Sequence, residues 1–151
     1  MNRKQFLQMA AAAIPFGAAV ALRAAATHIQ VYKTPTCGCC GNWVKHLQQN
    51  GFEVSVQDVP DTTPYRKKYG VPEELMSCHT GIVDGYALEG HVPAAEVQRI
   101  LRERPKARGL AVPGMPMGSP GMEAARTQPY SVMLIGMTGK ATVYQSYPRK
   151  G

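Results

Sequence analysis

Two segments near the start of the chain alternate apolar and polar residues, and an amphipathic segment separates them. Residues 28–34 (HIQVYKT) and 52–59 (FEVSVQDV) have the period of two that is typical of β-strands. Residues 42–50 (NWVKHLQQN) place apolar side chains on one face at helical spacing, and Gly51 ends the segment. The order strand, helix, strand predicts a βαβ unit with parallel strands.

The rest of the chain predicts two hairpins and two further helices. A polar connection over residues 60–75 includes a short helix, and residues 80–91 (TGIVDGYALEGH) are apolar on both sides of an Asp-Gly pair that favours a tight turn. Residues 93–105 (PAAEVQRILRERP) start with proline and carry an apolar stripe at helical spacing. Residues 129–147 predict two strands around the turn MTGK.

One long segment has no periodicity. Residues 109–128 (GLAVPGMPMGSPGMEAARTQ) are rich in Gly, Pro and Met, and they predict a loop. A loop of this length in a small domain usually has a function or is disordered.

The order of these elements predicts an α/β fold. We expect a thioredoxin-like sandwich with a mixed central sheet and flanking helices. Pro129 directly precedes the penultimate predicted strand, where a thioredoxin-like fold places a cis-proline facing the cysteine loop. We therefore expect a cis peptide bond before Pro129, which the tertiary context would have to enforce.

The first residues have the form of an export signal. A basic start (MNRK) precedes an alanine-rich apolar run and an Ala-x-Ala site, which predicts removal of residues 1–26. The run is short for a membrane span and contains Pro15, so we expect no stable membrane insertion. Lys4 stands where a twin-arginine signal has its second arginine, so the Sec and twin-arginine routes both remain open. Residues 27–151 are then a single exported domain, which we expect in the periplasm.

The charge of the chain excludes few functions but argues against nucleic acid. The net charge is +7, and loss of Arg3, Lys4 and Arg23 with the export signal leaves +4. The remaining basic residues are scattered and few aromatic residues lie among them, whereas a nucleic-acid footprint is denser on one face.

The chemistry of the chain concentrates in TPTCGCCGNW. Cys37, Cys39 and Cys40 lie within four positions, and Cys78 is the one other cysteine. An exported chain meets an oxidising compartment, where disulfides persist. Adjacent Cys39 and Cys40 cannot bridge each other without strain, and stapling disulfides usually close longer loops. The cluster therefore favours a reactive or metal-binding loop.

Two chemistries fit this loop. Cys37 and Cys40 have the C-x-x-C spacing of a disulfide exchanger, and a helix N-terminus lowers thiol pKa values. Cys39 favours a metal instead, because a third thiol would compete with disulfide exchange but would add a ligand to a metal site. Thiolates and thioethers select Cu(I), and zinc also accepts thiolates.

Other soft donors lie elsewhere in the chain. Met115, Met117 and Met122 stand in the Gly/Pro loop, where core packing is a weak explanation, so thioether ligation is considered for them. His79 adjoins Cys78 and is a candidate to bind a metal or to orient a ligand. His46 is expected to be a surface residue that points away from the Cys40 side of the helix, and His28 and His91 are expected to be structural or solvated.

Three blocks in the same order resemble a known family. CGCCGNWVKHLQQNGF, SCHTGIVDGYALEGHVPA and GLAVPGMPMGSPGME are similar to the periplasmic copper-resistance proteins called CopG. The resemblance covers about residues 28–148 and implies a thioredoxin-like fold that binds copper through clustered cysteines. It implies Cys37, Cys39, Cys40 and Cys78 as ligands, with Met115 and Met122 in its methionine loop, and a role in copper tolerance.

The leading hypothesis is therefore a periplasmic copper-binding protein, with Cu(I)/Cu(II) redox activity and a multinuclear copper site left open. Periplasmic copper chaperones or efflux components are its expected partners, and zinc is the lesser alternative to copper. The runner-up is a thiol–disulfide oxidoreductase that uses Cys37 and Cys40. A third hypothesis is a scaffold domain with two disulfides.

Overall fold

A computed structural model describes residues 26–150 of the chain. The described residues form one seven-stranded mixed sheet with three α-helices and a short 3-10 helix. Nearly all of the predicted export signal lies outside them. Within residues 26–150, no helix has the length and apolar character needed to cross a bilayer.

The elements follow the chain in the order β1, α1, β2, α2, 3-10 helix, β3, β4, α3, β5, β6, β7. Their bounds are β1 His28–Lys33, α1 Gly38–Gln49, β2 Glu53–Asp58, α2 Thr63–Lys68, the 3-10 helix Glu73–Leu75, β3 His79–Val83, β4 Tyr86–Glu89, α3 Ala94–Glu103, β5 Ala107–Ala111, β6 Tyr130–Gly136 and β7 Ala141–Tyr147. The strand order across the sheet is β2-β1-β3-β4-β5-β6-β7.

The predicted βαβ unit is confirmed. β1 pairs in parallel with β2 on one side and antiparallel with β3 on the other. The sheet is therefore mixed, and β1 lies inside it, which places the segment after β1 beside the segment before β3. The hairpin between β3 and β4 is also confirmed, and Asp84 and Gly85 both have positive φ, at 45° and 83°. Both values suit a type I′ turn.

Helices cover both faces of the sheet. Side chains of α1 and α3, such as Trp43, Leu47 and Ile100, pack with Leu88 in the larger apolar cluster. Val71 and Leu75, after α2, pack with Ala87, Ala111 and Ile135 in the second cluster. Leu88 and Ala87 are neighbours on β4 and point to opposite faces, as the period of a strand requires. The predicted mixed central sheet with flanking helices is thus confirmed.

Three details of the sequence prediction were wrong. The loop predicted from residue 109 is shorter, because residues 107–111 form β5, whose Leu110 and Ala111 are fully buried. A strand buried on both faces shows no alternation, so periodicity could not reveal it. α1 begins at Gly38 rather than at residue 42, because the turn at Thr34 and the packing of Trp43 extend the helix into the Gly/Cys segment.

The third correction concerns Pro129. No cis peptide bond occurs in residues 26–150, so the bond before Pro129 is trans. Trans is the lower-energy isomer unless neighbours enforce the other form. Pro129 is exposed, so no packed neighbours enforce the cis form there.

Candidate metal centre

The cysteine-rich segment lies at the N-terminus of α1. Cys37 has an extended backbone immediately before the helix, and Cys39 and Cys40 stand in its first turn. The N–H of Cys37 donates to the carbonyl of Thr34 at 3.1 Å, which turns the chain from β1 into the helix. Fully buried Trp43 then anchors the helix on the sheet. The three cysteines therefore lie together at one end of a rigid element.

Two of these cysteines are joined. Cys37 and Cys40 form a disulfide, while Cys39 and Cys78 are free thiols. Cys40 is fully buried, and Cys37, Cys39 and Cys78 are partly exposed. The sequence left the pairing of the four cysteines open, and the structure selects the C-x-x-C pair.

Sheet topology brings Cys78 to the cluster. Cys78 immediately precedes β3, and Lys33 at the end of β1 pairs with His79 at the start of β3. The segments that carry Cys37 and Cys78 therefore lie side by side at the same end of these two strands. The sulfurs of Cys37, Cys39 and Cys78 all lie within 4.8 Å of one another.

Met115 completes this sulfur cluster. Its Sδ lies 3.5 Å from Sγ of Cys39 and is in direct contact with Sγ of Cys78. These side chains line an open cavity of about 280 Å³, together with Thr34, Thr36, Cys37 and Gly38. Met115 is 44% exposed, so its thioether is available to a ligand that enters from solvent.

His79 lies behind the disulfide. It is fully buried, its Nε2 bonds the carbonyl of Gly90 at 2.9 Å, and its Nδ1 lies 3.0 Å from Sγ of Cys40. Because a carbonyl only accepts, Nε2 carries the proton and the lone pair of Nδ1 faces Cys40. Burial, with a smaller effect of neighbouring His91, lowers the pKa of His79 to about 3. The imidazole is neutral at physiological pH and can donate its lone pair to a thiol proton or to a metal.

The Cys78 thiol favours the protonated form. Burial and the proximity of Cys39 raise the pKa of the Cys78 thiol to about 11. Two thiolates side by side also repel each other, and a cation between them would remove this repulsion. Binding of a metal there must release protons.

The donor set suits a soft metal. Two overlapping groups form, one of Cys37, Cys40 and His79 and the other of Cys37, Cys39 and Cys78. Sulfur predominates, the thioether of Met115 adds a soft donor, and neither group contains a carboxylate. Thiolate and thioether ligands favour Cu(I), and hard cations prefer oxygen.

The other predicted donors lie apart. Met122 is half-buried in a turn, where its N–H donates to Ser119, and Met117 is 42% exposed. Neither methionine belongs to the sulfur contacts found within the described residues. The role of Met122 as a ligand stays a prediction.

The remaining histidines make contacts within the fold, and His46 is half-buried rather than on the surface. His46 accepts the N–H of Ala94 at the start of α3, and His28 contacts Ser55. His91 is fully buried and stacks on His79 with ring centroids 5.3 Å apart.

A buried polar network beside Cys78 was not predicted from the sequence. Glu89 is fully buried and accepts hydrogen bonds from Arg66, Thr80 and the backbone of Ser77. The available indication was a carboxylate at the end of the otherwise apolar strand YALE. Buried charges are rare without partners, so Glu89 could have been recognised as a structural centre.

Comparisons with known proteins match one family model and two solved structures. The family model described as "Protein of unknown function, DUF411" matches residues 75–122. Two solved structures, named "Copper resistance protein copG- Form 1" and "Form 2", are each 46% identical to the chain with a TM-score of 0.77. The match covers 82% of this chain and 98% and 99% of those chains, respectively. No curated protein matches the sequence.

Proposed function

The chain belongs to the family of the copper resistance protein CopG, and from this premise we propose that it binds copper through Cys37, Cys39, Cys40 and Cys78. The observation that carries the proposal is the convergence of Cys37, Cys39, Cys78 and Met115 on one open cavity. Copper is here the cargo or substrate, and the protein contributes to copper tolerance.

The four cysteines divide into two pairs. Cys39 and Cys78, with Met115 between them, form a sulfur site that is available while the disulfide is intact. Reduction of the disulfide adds Cys37 and Cys40, with His79 behind Cys40. Thiolates can bridge metal ions, so the reduced cluster has enough donors for more than one Cu(I).

The arrangement also supports copper redox chemistry. The reduced pair Cys37 and Cys40 can give one electron to each of two Cu(II) ions. The S–S bond forms, two protons leave, and two Cu(I) ions remain. The Cu(I) product is then retained by Cys39 and Cys78. The sulfur of Cys39 lies 3.8 Å from that of Cys37. An external dithiol regenerates the reduced pair by exchange.

We propose a thioredoxin-like core for this chemistry. Residues 28–103 follow the order β-α-β, hairpin, helix that predicted this fold, and the cysteine pair stands between β1 and α1. The strands β5, β6 and β7 extend the sheet beyond this core. The loop between β5 and β6 supplies Met115.

Location in the periplasm remains part of the proposal. It is supported by the form of residues 1–26 and by the disulfide, since disulfides persist in oxidising compartments. Copper chaperones or efflux components are the partners that such a role requires. Zinc is the lesser candidate, because the thioether of Met115 contacts the free thiols and thioethers favour Cu(I).

The second candidate function is thiol–disulfide exchange. The disulfide between Cys37 and Cys40 at the N-terminus of α1 favours it. In that case Cys39 and Met115 would be dispensable, and the protein would exchange with glutathione in the absence of copper.

The test is a Cu(I) titration of the reduced purified protein without oxygen, with copper counted by elemental analysis. We expect more than one copper per chain, and a loss of copper in Cys39→Ser. Met115→Leu should weaken Cu(I) binding, and Met137→Leu is the matched control because Met137 is similarly exposed (47%) in the turn between β6 and β7. Tight binding that survives Cys39→Ser unchanged would reject the proposal.

A second measurement tests the redox step. Cu(II) is added to the reduced protein, and Cu(I) is trapped with a chromogenic chelator. We expect two Cu(I) for each disulfide formed, and loss of this ratio in Cys37→Ser. Disulfide exchange with glutathione at an unchanged rate in Cys39→Ser, with no Cu(I) produced, would favour the second candidate.

A further inference from the structure

Ser77 lies at the junction of the two segments that carry Cys78 and Met115. We propose that Ser77 is a positioning residue that holds the Met115 thioether against the Cys78 thiol. Its consequence for copper rests on the proposed function, whereas the positioning itself can be measured without copper.

A buried carboxylate on β4 holds the backbone of Ser77. Its N–H donates to Oε1 of Glu89 at 2.7 Å. Glu89 is fully buried, and it also accepts from Nε of Arg66 at 3.0 Å and from the hydroxyl of Thr80 at 2.7 Å. A buried carboxylate with several charge-assisted hydrogen bonds is a rigid anchor. Ser77, and with it Cys78, therefore has a defined position relative to β4.

The side chain of Ser77 reaches the opposite loop. Its hydroxyl donates to the carbonyl of Gly114 at 2.5 Å. Gly114 directly precedes Met115, and Ser77 directly precedes Cys78, so one short hydrogen bond joins the two sulfur-bearing segments. These segments are 37 residues apart in sequence.

The Met115 segment needs this anchor. Met115 is 44% exposed, so packing restrains its side chain on one side only. Gly114 has a φ of +69°, a conformation that glycine adopts without strain. Beyond Met115, Ser119 binds the carbonyl of Pro116 through its hydroxyl at 2.7 Å. The carbonyls on both sides of Met115 thus accept serine hydroxyls, and only the bond from Ser77 comes from the segment that carries Cys78.

Gly90 lies against Ser77, where a side chain would not fit. A Cβ at Gly90 would lie 2.6 Å from Oγ of Ser77 and from the carbonyl of Val112. Gly90 also has positive φ, at 72°. The close approach of the three segments therefore requires a residue without a side chain at this position.

Disulfide trapping tests the positioning without copper. The double variant Cys39→Ser/Met115→Cys leaves Cys78 and the introduced thiol free while the Cys37–Cys40 disulfide stays intact. With a mild diazene oxidant, which takes up the two electrons and two protons, we expect rapid formation of the cross-link between these two thiols. Peptide mapping identifies the cross-link, and circular dichroism confirms folding.

Adding Ser77→Ala to this background should slow cross-linking at least about tenfold, because the effective concentration of the two thiols falls. The matched control is Ser131→Ala, which removes a hydroxyl that contacts Ser146 on β6 and β7 and should leave the rate unchanged. An equal rate with and without Ser77→Ala, or an equal slowing by Ser131→Ala, would overturn the proposal.

Copper affinity then separates the positioning from the proposed function. If Ser77 acts through Met115, Ser77→Ala should weaken Cu(I) binding in the wild-type background and have no further effect in Met115→Leu. Slower trapping with unchanged Cu(I) affinity would support the positioning and would remove Met115 from the proposed copper site. A full additional loss of affinity in Met115→Leu would contradict action through Met115.

Discussion

The buried His79 makes the stability of the apo protein sensitive to mild acid. In the folded state the pKa of His79 is lowered to about 3 because the ring is fully buried, and the ordinary value in the unfolded chain is 6.5. Below pH 6.5 the unfolded chain binds a proton that the folded chain does not. The contribution of neutral, buried His79 to the free energy of unfolding is therefore fully present above pH 6.5 and is lost as the pH falls.

The size of the effect follows from these two values. Between pH 7 and pH 5, the proton on the unfolded chain lowers the free energy of unfolding by about 2 kcal/mol from His79 alone. Burial also lowers the pKa of His46 and of His91, so both act in the same direction. The range stops at pH 5 because unfolded carboxyl groups titrate mainly below about 4.5.

The assay is urea unfolding followed by circular dichroism at pH 7, 6 and 5, with the disulfide intact and no metal. His79→Gln replaces the ring with a neutral amide that can still donate to the carbonyl of Gly90. Between pH 7 and pH 5, the free energy of unfolding should fall in both proteins. The fall in His79→Gln should be smaller than in the wild type by about 2 kcal/mol. His28→Gln, at the exposed start of β1, is the matched control and should retain the wild-type decrease.

The result that would refute this reasoning is an equal decrease in the wild type and His79→Gln. Such a result would mean that the His79 ring takes up a proton in the folded state at mild pH. The N–H at Nδ1 would then face Cys40 at pH 5, and His79 could not act at that pH as a metal ligand or as an acceptor for the Cys40 thiol.

Two further substitutions test the packing that supports the site. Trp43→Phe removes the indole N–H that donates to the carbonyl of Val92 at 2.8 Å, so the buried carbonyl loses its donor. We expect the free energy of unfolding, measured with urea, to fall by about 2–3 kcal/mol. An unchanged unfolding midpoint would contradict this role. Gly109→Ala would place a methyl against the backbone of Ala87 in the β4–β5 pair, at a φ of 154°. We expect a loss of more than about 3 kcal/mol or failure to fold, and wild-type thermal stability in the purified variant would show that the pair can separate.

The elements that sequence predicted well are those with local periodicity. β1, α1, β2 and the β3–β4 hairpin follow from alternation, helical spacing and the Asp84-Gly85 turn, all of which act within a few residues. β5 was missed because burial on both faces removes alternation. The start of α1 was placed too late because tertiary packing overrides the weak helix propensity of glycine.

The candidate site divides in the same way. The composition of the C-x-C-C segment and of the methionine loop was enough to propose soft ligands, and the C-x-x-C spacing allowed the pair that forms the disulfide. Sequence also marked Met115 and Met122 equally. The fold brings Met115 to Cys39 and Cys78, and it leaves Met122 in a separate turn.

The sequence by itself determined which residues could bind a soft metal, because sulfur chemistry belongs to the side chain wherever it lies. Only the tertiary structure decided which of them meet. Cys78 reaches Cys39 because β1 and β3 are adjacent in the sheet, and Met115 reaches both because Ser77 binds the carbonyl of Gly114. Met115 is 37 positions from Cys78 and 76 positions from Cys39. Contacts over such separations depend on the packing of the whole sheet, which no local pattern in the sequence predicts.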